Sequence, residues 1–233
     1  MRTAIVTGGA SGIGAALVRR LRHEGFEVES LDLTTGFDVS DPDHWERVGP
    51  VDVACLNAGV VGGPPDPADL SLEEYRRAFA VNVDGVVLGV RRLARVMPIG
   101  GRIVCTASLA GLTGVRDDPV YAATKHAVVG FVRSVAPALE ARGISINAVC
   151  PGFADTPMVA GLTRRRLEEA EFPLLSADDV GEATWVALTS GETGHAWVVQ
   201  PGRAPLDFRF PTLPGPRTAS DESVGLPPPL SSG

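Results

Sequence analysis

Residues 3–14 read TAIVTGGASGIG, and the fold of the whole chain turns on them. Thr3 to Thr7 is a short apolar, β-prone run. Gly8-Gly9-Ala10-Ser11-Gly12-Ile13-Gly14 then opens an amphipathic stretch that ends in glycine at Gly25. Glycines let the backbone turn sharply between strand and helix. They also let a pyrophosphate approach the helix N-terminus, where free N–H groups and the helix dipole favour negative charge. A glycine-rich loop is a weak signal alone, but here the strand and the helix stand on either side of it.

The same alternation continues outward to about residue 202. The spacing predicts strands over 2–7, 27–33, 51–57, 102–106, 144–150 and 195–199, and helices over 12–25, 71–97, 119–141 and 177–188. Ser71 with Glu74 three residues on forms a capping box, and Pro98 closes that helix. The strands are continuous apolar runs, as a sheet covered on both faces requires. Strand–helix alternation then implies right-handed crossovers and a single α/β domain, a Rossmann-like doubly wound parallel sheet flanked by helices. Ligands in such sheets bind beyond the carboxyl ends of the strands. Residues 201–233 hold eight prolines and no periodicity, which predicts an extended arm over 203–233. Its segment Leu206-Asp207-Phe208-Arg209-Phe210 has enough apolar surface to dock.

The 233 residues are 44% hydrophobic and 21% charged, with a net charge of -7. That balance argues against nucleic acid or an anionic membrane as a partner, since phosphate contacts need clustered Lys and Arg. The one basic run, Arg164-Arg165-Arg166, is followed by Glu168, Glu169 and Glu171 and reads as a salt-bridged helix face. A strand starting at Thr3 leaves no room for a signal peptide, and no apolar run reaches the roughly 20 residues of a bilayer span. A cytoplasmic location is expected. Cys55, Cys105 and Cys150 lack metal or disulfide spacing and read as buried thiols; no metal is expected.

Asp32 closes the second strand, 18 residues after Gly14. A carboxylate there can accept from both hydroxyls of an adenosine ribose and repels a 2'-phosphate. No Lys or Arg stands between Thr3 and Arg19 or between Leu33 and His44 to neutralise such a phosphate, so NAD rather than NADP is the expected cofactor. Asp38-Val39 and Asn57-Ala58-Gly59 are taken as further strand-end positions on that edge. An Asp can bind an adenine amino group, and a small Ala-Gly pair lets the backbone pass close to a ribose.

Tyr121 and Lys125 share one face of a predicted helix at i, i+4. A free Tyr has a pKa of about 10, and a nearby ammonium together with a nicotinamide cation favours its phenolate. Tyr121 can then exchange a proton with an alcohol or carbonyl, and Lys125 can also hold the cofactor ribose. Ser108, 13 residues earlier and past a strand end, is placed to hydrogen-bond the substrate oxygen.

With these residues in place the chain resembles the short-chain dehydrogenase/reductase family over residues 3 to about 202. The likeness rests on Thr7-Gly8-x-x-x-Gly12-x-Gly14, Asn57-Ala58-Gly59, Asn82 in VNVDG, Ser108 in TASLAG, Tyr121-x-x-x-Lys125, and Pro151-Gly152 with Thr156 in PGFADTPM. The resemblance implies that Asn82 holds a water linking Lys125 to solvent, and that Thr156 and the Pro151-Gly152 turn position the nicotinamide carboxamide. It also implies a homodimer or homotetramer and a substrate lid at about 157–173.

The chain departs from the family pattern in several places. The five residues between Asp32 and Asp38 leave no room for the usual helix there and imply a very short third strand. Pro137 lies inside the Tyr121 helix and should kink its last turns. The final strand ends Val199-Gln200-Pro201-Gly202 rather than Asp-Gly-Gly. The substrate pocket is expected from Val60 to Pro65, Leu109 to Pro119, Phe153, and the lid with Met158, Leu162 and Leu167. That lining favours a hydrophobic alcohol or ketone, and Arg116 could meet a carboxylate unless Asp117 or Asp118 occupies it. His126 and His195 have no useful partner for chemistry. The reading is of an NAD-dependent alcohol dehydrogenase or carbonyl reductase. Its alternative is a catalytically idle NAD-binding interaction module, which had no need to keep Asn82, Ser108, Tyr121 and Lys125 together. An isomerase or dehydratase of this kind would need a separate substrate domain, for which there is no room.

Overall fold

Apolar strand residues alternate between two cores, and that alternation builds the layers. In the computed structural model, which describes residues 1–212, 214–217 and 219, six parallel strands and a short antiparallel seventh form one sheet. They are β1 (Thr3–Thr7), β2 (Glu27–Leu31), β3 (Val53–Leu56), β4 (Arg102–Thr106), β5 (Ser145–Pro151), β6 (Ala196–Val199) and β7 (Leu206–Asp207), in the order β2-β1-β3-β4-β5-β6-β7. Ile5, Ala54, Leu56, Ile103 and Ile146 point to one core; Ala4, Val6, Val53, Cys55 and Val104 point to the other. This is the period-2 pattern of a sheet buried on both faces.

The first core is covered by α2 (Pro42–Glu46), α4 (Gly85–Val96) and α5 (Pro119–Glu140), the second by α1 (Gly12–His23) and α7 (Ala177–Thr189). Strand order reverses between β1 and β3, so the loops after β1, β3 and β4 meet at the crevice where doubly wound sheets take ligands.

Two features differ from the sequence expectation. No strand forms between β2 and Val53 among the described residues, so the very short extra strand is absent and β2 is the sheet's edge. Too few residues are available for a crossover. Instead a 3₁₀ turn at Leu33–Thr35 leads to the five-residue α2. Its Trp45 is 1% exposed, donates its indole N–H to Val39 O at 2.8 Å and meets Phe37 edge-on at 5.2 Å.

The helix expected over 71–97 is interrupted. It starts at the predicted Ser71–Glu74 capping box as α3 (Leu72–Phe79), widens into a π turn over Ala80–Asp84, and resumes as α4. Single π turns of this kind recur at functional sites, and Asn82 sits inside this one.

α5 runs through Pro137 and on to Glu140. The arm docks as far as it is described. β7 pairs with β6, Phe208 and Phe210 pack on the first core, and the Arg133 guanidinium stacks 3.6 Å from the Phe210 ring centre. Residues 213, 218 and 220–233 of the expected arm, and the Leu162 side chain of the expected lid, lie outside the described residues.

Candidate active site

The residue motifs gather at one edge of the sheet, and hydrogen bonds to backbone fix most of them there. Thr7 Oγ1, at the end of β1, accepts the N–H groups of Asn57 and Ala58 at 2.8 and 3.0 Å. Asn57 returns its amide to Thr7 O at 3.2 Å and accepts the Thr106 hydroxyl at 3.1 Å. Asn57 thus stitches the ends of β1, β3 and β4 together and leaves Ala58-Gly59 as bare backbone facing the crevice.

The first turn of α1 fits an anionic group. Its N-cap, Ser11, makes no side-chain capping bond, and no acid stands in that turn, so the first helical N–H groups lack a side-chain acceptor. Gly12 and Ile13 start the helix, and a Cβ on Gly14 would stand 1.9 Å from Gly8 O. Only glycine lets the helix come this close to the loop from β1. Thr156, past β5, lies beside Gly12, its methyl 3.3 Å from where a Gly12 Cβ would be.

Asp32 is half-buried at the end of β2 and caps the 3₁₀ turn. Thr34 donates its N–H and hydroxyl to Oδ1 at 3.0 and 2.9 Å, and Ala10 of the glycine loop donates to Oδ2 at 3.1 Å. Burial pushes its pKa up, but these donors outweigh it and hold the carboxyl below its usual value. Asp38 is in a loop, not at a strand end. Its Oδ1 accepts the Ser40 hydroxyl and N–H at 2.7 and 2.8 Å, which lower its pKa. The Val39 side chain is buried against Gly85, so only its backbone can face a ligand.

Lys125 is 3% exposed and donates from Nζ to Thr106 O at 2.8 Å, leaving two ammonium protons for other acceptors. Nζ stands 5.4 Å from the Tyr121 ring centre. Burial lowers the Lys125 pKa to about 8 and pushes Tyr121 up to about 12, with a Ser108 hydrogen bond pulling Tyr121 the other way. Both shifts have one cause: a dry site that disfavours charge. Ser108 caps the short turn after β4 by accepting Ala110 N–H at 3.1 Å, and its hydroxyl reaches toward Pro151 O at 3.4 Å. Tyr121, Lys125, Ser108 and the Pro151-Gly152 turn therefore share one site.

Asn82 is fully buried, and its side chain does not bond its own helix. It clasps Val60, accepting the N–H at 2.8 Å and donating to the carbonyl at 2.9 Å, and donates to Thr124 Oγ1 at 3.0 Å. Thr106 as the anchor of Lys125, and Thr124 as the partner of Asn82, were not found from the sequence; no motif marks either.

The segments that follow β3 and β5 carry half-exposed apolar side chains: Val61 after β3, Phe153 and Met158 after β5, and Phe172 beyond α6 (Gly161–Glu169). Phe153 and Phe172 meet edge-on at 6.0 Å. The basic run is tied to acids as expected. Arg164 pairs with Glu168 at 2.6 Å and with Asp155, and Arg166 reaches Asp117 at 3.9 Å, linking α6 to the body. His195 pairs with Asp207 of the arm at 3.0 Å, a structural use. A cavity of about 250 Å³ between α1 and α7 is lined by ion-paired residues such as Arg19, Arg20 and Asp178 and holds none of the motif residues.

Among the described residues no His, Cys, Asp and Glu cluster could hold a metal, and no helix is long and apolar enough to cross a membrane.

Known proteins agree with this geometry. A family model described as enoyl-(acyl carrier protein) reductase matches residues 42–199. The 1-deoxy-11-beta-hydroxypentalenate dehydrogenase of Streptomyces exfoliatus is 34% identical over 221 residues, 81% of this chain and 80% of that protein. The cis-4-hydroxycyclohexanecarboxylate dehydrogenase of Sinomonas cyclohexanicum is 35% identical over 69% of this chain and 76% of its own. Among solved structures, a 3-ketoacyl-(acyl-carrier-protein) reductase from Brucella melitensis complexed with NADH superposes with a TM-score of 0.76 at 26% identity, covering 87% of this chain and 98% of that one. A small-chain dehydrogenase in complex with NADPH gives 0.78 at 27% identity, covering 86% and 97%. With the glycine loop, the Asn57-Ala58-Gly59 stitch and the Ser108–Tyr121–Lys125 centre on one sheet edge, these matches establish the chain as an enzyme of the short-chain dehydrogenase/reductase family.

Proposed function

We propose that the chain oxidises a secondary alcohol, or reduces the matching ketone, on a hydrophobic ring-sized substrate, with NAD as the hydride carrier. The observation that carries this reading is the buried Tyr121–Lys125 pair with Ser108 beside the phenol. In the proposed reaction Tyr121 moves the proton at the substrate oxygen while the Ser108 hydroxyl orients that oxygen. Lys125, anchored on Thr106 O, keeps two donors for ribose hydroxyls, and its positive charge favours the phenolate during oxidation. Any proton relay from Lys125 runs past the backbone of the π turn, because the Asn82 side chain is committed to Val60 and Thr124.

Gly8, Ser11, Gly12, Ile13 and Gly14 would hold the pyrophosphate, and Asp32 the adenosine ribose. Asn57, Ala58, Gly59, Pro151, Gly152 and Thr156 would line the rest of the nucleotide, with Asp38 and the Val39 backbone toward the adenine. When bound, NAD supplies the carbon that takes or gives the hydride. The choice of NAD rests on Asp32, whose donors favour its carboxylate and which has no cation acting on it among the described residues to accept a 2'-phosphate.

The apolar rim of Val61, Phe153, Met158 and Phe172 supports a hydrophobic substrate. The names of the two curated relatives support an alicyclic alcohol that carries a carboxylate. Arg116 fits that acid. Asp117 and Asp118 bond elsewhere, and Arg116 has no ion pair among the described residues. In this reading residues 1–202 are the catalytic unit, 157–173 its lid and 203–233 its arm. The exposed small residues Ala123, Gly130, Ser134 and Ala138 on α5 support assembly as a homodimer or homotetramer, and three free buried thiols suit the cytoplasm.

A panel of alicyclic secondary alcohols with NAD, followed by NADH absorbance, tests the reading. Turnover of ring alcohols in preference to sugars or phosphorylated alcohols is expected. Tight NAD binding with no NADH formed across the panel would favour the idle module.

A further inference from the structure

Asp118 is placed between two parts of the site, and its two oxygens serve different elements. Oδ1 accepts the Tyr121 N–H at 2.9 Å and so caps α5 ahead of Pro119. Oδ2 accepts the Gly62 N–H at 2.8 Å, on the loop that follows β3. That loop lies directly on the first turn of α5. A Cβ on Gly62 would stand 2.2 Å from Tyr121 N, so no side chain fits between them. Two residues earlier the same loop is held at Val60 by Asn82, which is itself bonded to Thr124 on α5. The loop is thus fastened to α5 twice, through Asp118 at Tyr121 and through Asn82 at Thr124. Its next residue along from Val60, the half-exposed Val61, belongs to the apolar rim.

We infer that Asp118 is a positioning residue. It fixes the first turn of α5, and with it the Tyr121 side chain, against the Val60–Gly62 wall of the substrate pocket. The inference rests on the reading of Tyr121 as the proton-transfer group. Asp118 also carries a charge close to Tyr121. The groups that bear on the phenol are few: Lys125 from its own helix, Ser108 from the turn after β4, Cys150 from β5, and Asp118 from the cap. Burial chiefly holds the phenol protonated, Ser108 opposes that, and Asp118 reinforces it. Removing the Asp118 charge therefore favours phenolate.

Two variants separate the clamp from the cap. Asp118→Asn can still accept the Tyr121 N–H, but its amide NH₂ then faces the Gly62 N–H, donor against donor. Asp118→Ser can cap and is too short to reach Gly62. In both, kcat for alcohol oxidation is expected to fall about 10- to 100-fold, as for a small displacement of a reacting group. NAD affinity measured by calorimetry should stay at the parent value. In both variants the rising limb of the pH–rate profile should move to lower pH by about one unit, the effect of a nearby unit charge in a partly shielded site. A merely structural role predicts a lower melting temperature with the pH limb in place, and that result overturns the inference, as does parental kcat in either variant. Tyr121→Phe, run alongside, keeps the two claims apart. Full activity in Tyr121→Phe refutes the reading of the site, whereas an inactive Tyr121→Phe beside parent-like Asp118 variants refutes only the role of Asp118.

Discussion

The reacting end and the adenosine end of the cleft are built on opposite plans. At the reacting end Lys125 and Asn82 are buried and fixed by partners far along the chain, Thr106 and Val60, and the nearly buried Tyr121 starts a helix whose cap, Asp118, is tied to Gly62. At the adenosine end Asp32 and Asp38 are half-exposed and bonded chiefly to residues within a few positions of themselves, Thr34 and Ser40. Desolvation rules the first region and pushes charge out. Local donors rule the second and stabilise charge. The comparison teaches that proton chemistry depends here on tertiary packing, while nucleotide choice depends on one short loop that can change without disturbing it.

Lys125→Met breaks the reacting end most severely. Turnover should drop by a factor of about 10²–10⁴, and NAD binding should weaken as well, because the donors for the ribose are lost. A variant that loses neither would show that Lys125 is a packing residue.

The contrast extends to pH. Cys55, Cys105 and Cys150 are all raised from 9.0 to about 12 by burial, while Lys125 is lowered from 10.5 to about 8. A raised pKa contributes stability that is complete below the unfolded value and is lost as pH climbs through the folded one. A lowered lysine works oppositely, its contribution growing as pH rises from 8 toward 10.5. Three thiols outweigh one lysine, and Tyr121, also raised by burial, adds to them above pH 10, so stability should fall as pH rises above 9. Urea melts between pH 8 and 10 would show it; a flat profile would mean that the thiols are open to water. Asp32 and Asp38 have lowered values, so their smaller contribution is present above pH 3.8 and is lost below it.

At the adenosine end, Asp32→Ala should weaken NAD about 10- to 100-fold, the range for hydrogen bonds to a charged group, and relax discrimination against NADP. Equal use of NAD and NADP by the parent would refute the ribose argument. The smallest effect should come from deleting residues 204–233. That removes β7, the His195–Asp207 pair and the Phe210 contact and should lower the melting temperature by about 2–4 °C for each kcal/mol lost, with chemistry intact. Global unfolding would make the arm part of the core.

What the sequence disclosed follows the same division. Continuous apolar runs are a local signal, so the parallel sheet and its glycine loop were legible, as was the i, i+4 pairing of Tyr121 with Lys125. The π turn at Asn82 was not, because it goes with bonds to Val60 and Thr124, 22 and 42 residues away. The packing of Trp45 on Phe37 and against Gly89 of α4 could not be foreseen from five helical residues. The role of Asp118 was hidden for a similar reason. Asp before Pro marks a helix start, but its second partner, Gly62, lies 56 residues upstream.

The central claim is that the buried phenol of Tyr121 carries the chemistry and contributes little to holding the nucleotide. Tyr121→Phe, assayed for turnover of a ring alcohol and for NAD affinity by calorimetry on the same preparation, tests it directly. The account predicts that turnover disappears and NAD affinity is unchanged. A variant that keeps most of its turnover, or that loses NAD affinity in step with it, would contradict it.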